Sequence, residues 1–272
     1  MKRDPNVVFE GSIPENYDRY LGPAFFEPYA RDLVERLARR KPASVLEIAC
    51  GTGIVTRHLR DRLGPEVYVV STDLNPGMLE FARKKFPEGA NIEWQQADAS
   101  ALPFGDESFE AIVCQFGLMF VPDKEAAMRE AYRVLKPGGV FVFNVWDRME
   151  ENVVAQIAHD TIASFFEHDP PTFYQVPFGF HDARAIRELL KNAGFDALDS
   201  SLVKLPCRSR SADEFAIGLV RGNPVSTAIA ERGGKIDKVI SAVAQKLAQQ
   251  CGSPVESTMQ AFVWEAERIP SL

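Results

Sequence analysis

The run VLEIACGTGIVT at residues 45–56 constrains the fold more than any other stretch of the chain. Apolar and small residues around a single acid, Glu47, read as a short buried strand over 45–49. Two glycines one residue apart, Gly51 and Gly53, then read as a tight turn. From Ile54 to Leu63 the apolar positions Val55, Leu59 and Leu63 share one helical face. The glycines let backbone approach a bound molecule where a Cβ would collide, and the turn presents free N–H groups. Many domains contain one glycine-rich turn, so the reading depends on what stands at fixed distances behind it.

Taken in order, residues 1–23 are polar and turn-rich, and their aromatic content, Tyr17 and Tyr20, predicts that part of them packs on the body. Phe25–Arg40 is an amphipathic helix with Pro28 suited to its first turn. Glu66–Asp73 reads as a second buried strand, 78–86 as a helix, Ile92–Gln96 as a third strand and Phe109–Phe116 as a fourth. Asp123–Leu135 is helical, Lys136–Gly139 a compact turn, and Val140–Trp146 a fifth strand. Short strands separated by helix-length segments specify a doubly wound α/β fold, a mostly parallel sheet covered on both faces. Beyond Trp146, helices over 150–168, 182–193, 211–220 and 235–249 alternate with strands over 195–205 and 255–267. Segments 150–180 and 206–252 are then excursions from a 40–146 core, read as a helical cap within a single domain, 1–272.

Ligands of such sheets bind beyond the carboxyl ends of the strands, near the reversal of strand order. The Gly51–Gly53 turn, Asp73, Asp98 and the Gln115–Phe120 segment all fall there. Asp73, twenty residues after Gly53, is placed to accept two hydrogen bonds from vicinal ribose hydroxyls; capping the next helix is its plainer role. Glu47, an acid in an apolar strand, either organises the turn or faces a positive ligand centre, since a buried charge needs partners. Asp98 is either a solvated loop acid or an acceptor for an exocyclic amine, with the Ala99 N–H serving a ring nitrogen.

Other classes are disfavoured. A net charge of −7 argues against a broad nucleic-acid face. Cys50, Cys114, Cys207 and Cys251 form no CxxC pair, so no metal site is expected. No apolar run approaches bilayer length, and MKRDPNVVFEGSIP lacks the apolar core of a signal peptide, so a cytoplasmic location is expected. Monomer and homodimer both stay open.

The segments VLEIACGTGIVT, VVSTDLNPGML, QQADASALPFGDESFEAIVCQFGLMFVPD and RVLKPGGVFVF closely resemble the class I S-adenosylmethionine-dependent methyltransferases, of the branch that includes ubiquinone and menaquinone biosynthesis and many small-molecule methylases. The resemblance is specific over about 40–146. It implies a seven-stranded Rossmann-like sheet whose last strand, 255–267, runs antiparallel, and S-adenosyl-L-methionine as cofactor. It implies that Glu47, Ala49, Cys50, Gly51 and Gly53 lie against the methionine part and that Asp73 holds the ribose. Leu74, Asn75 and Met78 then line ribose and adenine, Asp98 and Ala99 meet the adenine, and Gln115 with Phe116 flanks the methionine end. Cys50 stands where many members have glycine; the backbone there needs less freedom than at Gly51.

An NAD-dependent dehydrogenase is the weaker reading, because G-T-G-I-V-T lacks a third glycine and Glu47 suits an amino-acid sulfonium better than a pyrophosphate. A non-catalytic cofactor-binding protein of the same fold is the other. A nucleic-acid methylase lacks support, because Cys114-Gln115-Phe116-Gly117 is no base-methylating signature. The expected reaction is in-line methyl transfer to a small molecule, for which no acid–base pair need be visible. A catalytic residue is not identified; His181, Tyr20 and Tyr174 are the weak candidates, with Tyr17, His159 and His168 behind them, and His58 is assigned to structure. The aromatic segment Phe165, Phe166, Phe173, Tyr174, Phe178 and Phe180 suits a planar or apolar acceptor, a small core beneath the cap, or an interface.

Overall fold

In the computed structural model, which describes residues 5–270, the N-terminal segment is helical rather than turn-rich. Helix α1 (Ile13–Asn16) runs into a π-helix over Tyr17–Phe26, and that into α2 (Glu27–Ala38). The wide turn is explicit at its end, where the Glu27 N–H donates to Gly22 O. Such turns favour functional sites, and this one buries Leu21, Phe25 and Phe26. Polar composition hid the segment because its apolar residues follow neither a 3.6 nor a 2.0 period.

The core strands and helices alternate as expected: β1 (Ser44–Glu47), α3 (Ile54–Leu63), β2 (Tyr68–Asp73), α4 (Pro76–Lys84), β3 (Ile92–Gln96), β4 (Phe109–Gln115), α5 (Lys124–Val134) and β5 (Leu135–Trp146). Asp123 caps α5, its side chain accepting from the Ala126 N–H at 2.8 Å. The Lys136–Gly139 turn is a bulge inside β5: Phe109 pairs with Leu135 and Ala111 with Val140, leaving the residues between out of register. After β5 come α6 (Val153–Ala163), α7 (Ala183–Ala193), β6 (Ala197–Ser209), α8 (Ala212–Arg221), α9 (Val225–Glu231), α10 (Ile236–Cys251) and β7 (Val255–Glu267). Residues 206–209 therefore belong to the edge strand, not to an excursion, and α9, at seven residues, is too short to show a period in the sequence.

The seven strands lie in the order β3-β2-β1-β4-β5-β7-β6. β1 to β5 are parallel, and β7 runs antiparallel to β5 and β6. Strand order reverses at β1 and β4, so the chain leaves these two strands in opposite directions and opens a crevice at their carboxyl ends. Val45, Leu46, Ile112 and Val113 in these strands are fully buried, which holds the floor of the crevice still. Helices α6, α8 and α10 pack together beside the crevice, and α8 also packs on the π-helix. Tyr29 on α2 donates its hydroxyl near the far edge of the sheet, contacting Val203 O and Met259 O at 2.9 and 2.8 Å. Among the described residues no helix is long and apolar enough to cross a membrane.

Candidate functional site

The crevice is a cavity of about 770 Å³, within the range of small-molecule sites. Ala49, Gly51, Asp73, Leu74, Asn75 and Met78 line one end, with Asp98 and Ala99 beside them. Gln115 and Phe116 line its floor. Glu47, Cys50 and Gly53 do not border the cavity; their work is behind the turn.

The Glu47 carboxylate accepts from Thr56 Oγ1 at 2.5 Å and Ser71 Oγ at 2.8 Å, and its carbonyl from Thr72 Oγ1 at 2.9 Å. It thus ties β1 to β2 and to the first turn of α3. Burial pushes its pKa up to about 7, the hydroxyl donors opposing the shift. These bonds are those of a group that holds the strand and helix flanking the turn in place. Gly53 (φ +79°) starts α3 where a Cβ would press on Ala82 and Phe86 at 3.2 Å, so it serves packing against α4. Cys50 donates its N–H to Thr72 O and does not take a positive φ, which explains why a side chain is tolerated there. The unusual position is Ala49, at φ +56°.

Asp73 ends β2 with both oxygens engaged by backbone: Oδ2 accepts from the Gly51 N–H at 2.9 Å and Oδ1 from the Asn75 N–H at 2.8 Å. Burial raises its pKa, and these amides pull it back down. Asn75 Oδ1 accepts the Phe9 N–H at 3.4 Å, which brings the N-terminal segment over this end. Asp98 Oδ1 is taken by Ser100 N and Oγ at 2.8 and 2.6 Å, and the residue is exposed at the cavity rim. Phe116 holds φ +51°, its N–H donating to Asn144 Oδ1 at 2.9 Å. Its ring stacks on Trp146 at 3.6 Å between centroids. Gln115 Oε1 is buried without a partner among the described residues.

Gly117 makes this geometry possible. A Cβ there would lie 2.4 Å from Ala49 Cβ and 2.8 Å from Cys114 Sγ. Gly117→Ala must push back the Ala49 backbone, already in a left-handed conformation; the expected result is a loss of about 1–3 kcal/mol, read from the urea midpoint. An unchanged midpoint would mean that the two loops separate freely.

The far end of the cavity is aromatic and comes from segments that local patterns did not join. Phe9, Tyr17, Leu21, Phe25 and Phe26 descend from the N-terminal segment, and Trp146 from the end of β5. Phe173, Tyr174 and Phe178 of the aromatic segment also line it. The others do not: Phe165 is exposed, Phe166 packs near Gly234, and Phe180 lies under Lys124. Leu219, Asn223 and Met259 complete the wall; no sequence signal marked them. Of the catalytic candidates, Tyr20 packs against Gly218 outside the cavity, and His181 Nδ1 is held by Phe178 O at 2.9 Å, also outside it. Tyr174 lines the wall, but its hydroxyl donates to Leu219 O at 2.8 Å and burial drives its pKa upward, away from a base. His58 pairs with Glu27 at 2.8 Å, a structural contact. Among the described residues the only charged side chains on the cavity wall are Asp73 and Asp98.

The family model described as a methyltransferase domain matches residues 46–143. The ubiquinone/menaquinone biosynthesis C-methyltransferase UbiE of Hahella chejuensis is 44% identical over 114 residues, covering 41% of this chain and 46%, less than half, of that relative. The demethylmenaquinone methyltransferase of Lactococcus lactis is 30% identical over 205 residues, 69% of this chain and 81% of the relative. Among solved structures, the YcgJ protein of Bacillus subtilis superposes with a TM-score of 0.59 at 19% identity, over 90% of this chain and 100% of that one. The [4+2]-cyclase SpnF does so at 0.57 and 19%, over 90% and 81%. With the strand order, the antiparallel β7 and the turn held by Asp73, these matches set the dehydrogenase reading aside, and the chain belongs to the class I S-adenosylmethionine-dependent methyltransferases.

Proposed function

We propose that the chain methylates an uncharged, largely apolar small molecule held against the aromatic wall, with the cofactor seated between Gly51, Asp73 and Asp98. Three features support that seat. Asp73 Oδ2 accepts the Gly51 N–H and keeps a lone pair for a ribose hydroxyl, while Oδ1 accepts the Asn75 N–H at 2.8 Å and its Nδ2 at 3.4 Å. Gly51, at φ +54°, has open space where a Cβ would stand. Gln115 Oε1, bordering the same cavity, lacks a donor that an ammonium would supply. When bound, S-adenosylmethionine supplies an electrophilic methyl carbon for direct displacement by the acceptor.

The protein's part is placement. Asp73 and the turn fix one partner, and the Phe116–Trp146 stack with the Phe25 and Phe26 rings excludes water from the other. The carrying observation is that one cavity joins the acidic end to a wall without charged groups, so neither an anionic nor a cationic acceptor finds a counter-charge there. The relatives' names, for ubiquinone/menaquinone biosynthesis and for demethylmenaquinone, agree with an apolar acceptor. The four free cysteines suit a reducing cytoplasm.

The fold alone does not carry transfer, since a similar structure is that of a [4+2]-cyclase. The test is calorimetric titration with S-adenosylmethionine and S-adenosylhomocysteine, followed by methyl transfer from labelled cofactor to neutral aromatic, carboxylate and amine acceptors. Binding of both, with label passing to neutral aromatics, is expected. Absence of binding overturns the seat; label on the charged acceptors alone overturns the acceptor class.

A further inference from the structure

The aromatic wall contains one polar side chain whose hydrogen-bonding capacity the fold leaves unspent. Asn223 follows α8, whose last carbonyls lack helical partners. Its Nδ2 donates to Leu219 O at 3.0 Å, and the Tyr174 hydroxyl donates to the same oxygen at 2.8 Å. What remains is Oδ1, for which no protein donor stands within reach among the described residues. The residue is 8% exposed and borders the cavity. Leu219 and Tyr174, which share its hydrogen-bond cluster, border it too, and Phe25, Phe178 and Met259 belong to the same lining.

We propose that Asn223 Oδ1, fixed by Tyr174 and Leu219, is the specificity determinant for the methyl acceptor, receiving a hydrogen bond from a neutral hydroxyl or N–H. This rests on the reading of the aromatic chamber as the acceptor site. Because no protein donor meets Oδ1, the group offers an unspent acceptor and selects hydroxyl or N–H donors over ethers. A ligand of the same shape without a donor leaves Oδ1 desolvated and unpaired, a loss of about tenfold to a hundredfold in affinity. Few polar groups in an apolar pocket commonly set orientation in this way.

The experiment measures binding of 1-naphthol, 1-methylnaphthalene and 1-methoxynaphthalene to the chain saturated with S-adenosylhomocysteine. The wild type should bind 1-naphthol at least about tenfold more tightly than either analogue. Asn223→Leu should erase that preference while S-adenosylhomocysteine and 1-methylnaphthalene bind within about twofold of wild type. Tyr174→Phe guards against a folding defect in the first variant: it removes the neighbouring hydroxyl but retains Asn223 Oδ1, so 1-naphthol should stay preferred, and loss of that preference would overturn the assignment. Equal affinity of the wild type for all three probes overturns the Asn223 assignment and leaves the chamber standing. Binding of none of them overturns the chamber as well, and failure of S-adenosylhomocysteine to bind overturns the cofactor seat instead.

Discussion

Asp73→Ala is expected to weaken S-adenosylhomocysteine binding by about a hundredfold or more. The carboxylate does two things at once in this fold. It offers lone pairs to the sugar in the proposed seat, and it holds the Gly51 and Asn75 N–H groups in the shape that receives the ligand. Alanine removes both, leaving two amides at a nearly dry site, each worth about 1–3 kcal/mol when unpaired. A fall in thermal stability of the ligand-free chain should accompany the loss. Asp73→Asn should repair little: each oxygen accepts from a different amide, so an NH₂ group in either place would face a donor. Calorimetry on both variants checks this, and an affinity unchanged from wild type would mean that the ribose is held elsewhere.

The second large effect concerns pH. Glu47 keeps its proton up to about pH 7 in the folded chain, against an ordinary value of 4.5. Between those values the folded state binds more protons than the unfolded state, so stability falls as pH rises through the window and levels off above it. The whole change from this group is about 3 kcal/mol. Asp73, also raised by burial, acts in the same direction. Glu47→Gln should flatten the slope between pH 4.5 and 7 and leave the chain more stable than wild type at pH 8. The Thr56 and Ser71 hydroxyls both donate to one Glu47 oxygen, and the amide oxygen in that place still accepts from them, so these contacts survive without the charge. Urea unfolding at a series of pH values measures it; a wild-type slope retained in the variant would assign the linkage to another group.

Much of the fold was legible because its signals are local. The β1–turn–α3 unit, the acid ending β2, the helices beginning at Asp123 and Asp182 and the strand over 255–267 each follow from period or turn chemistry within a dozen residues. That Gly51, Asp73, Asp98 and Gln115 meet at one crevice was legible for the same reason: strand carboxyl ends in a doubly wound sheet converge wherever the strand order reverses. Glu47, Cys50 and Gly53 lie within the same motif but do not line the cavity, and nothing in their spacing says so.

By itself, then, the amino-acid order determined an α/β sheet, its crevice and the glycine turn beside it, since hydrophobic period and glycine placement act over a few residues. The tertiary structure alone decided what closes the crevice. Tyr17, Phe26, Trp146, Tyr174 and Asn223 are far apart along the chain, and they meet because the π-helix, the end of β5 and the helices beyond it bury their apolar faces on one another. That packing is non-local, so which side chains it turns inward depends on the assembled neighbours rather than on any single segment.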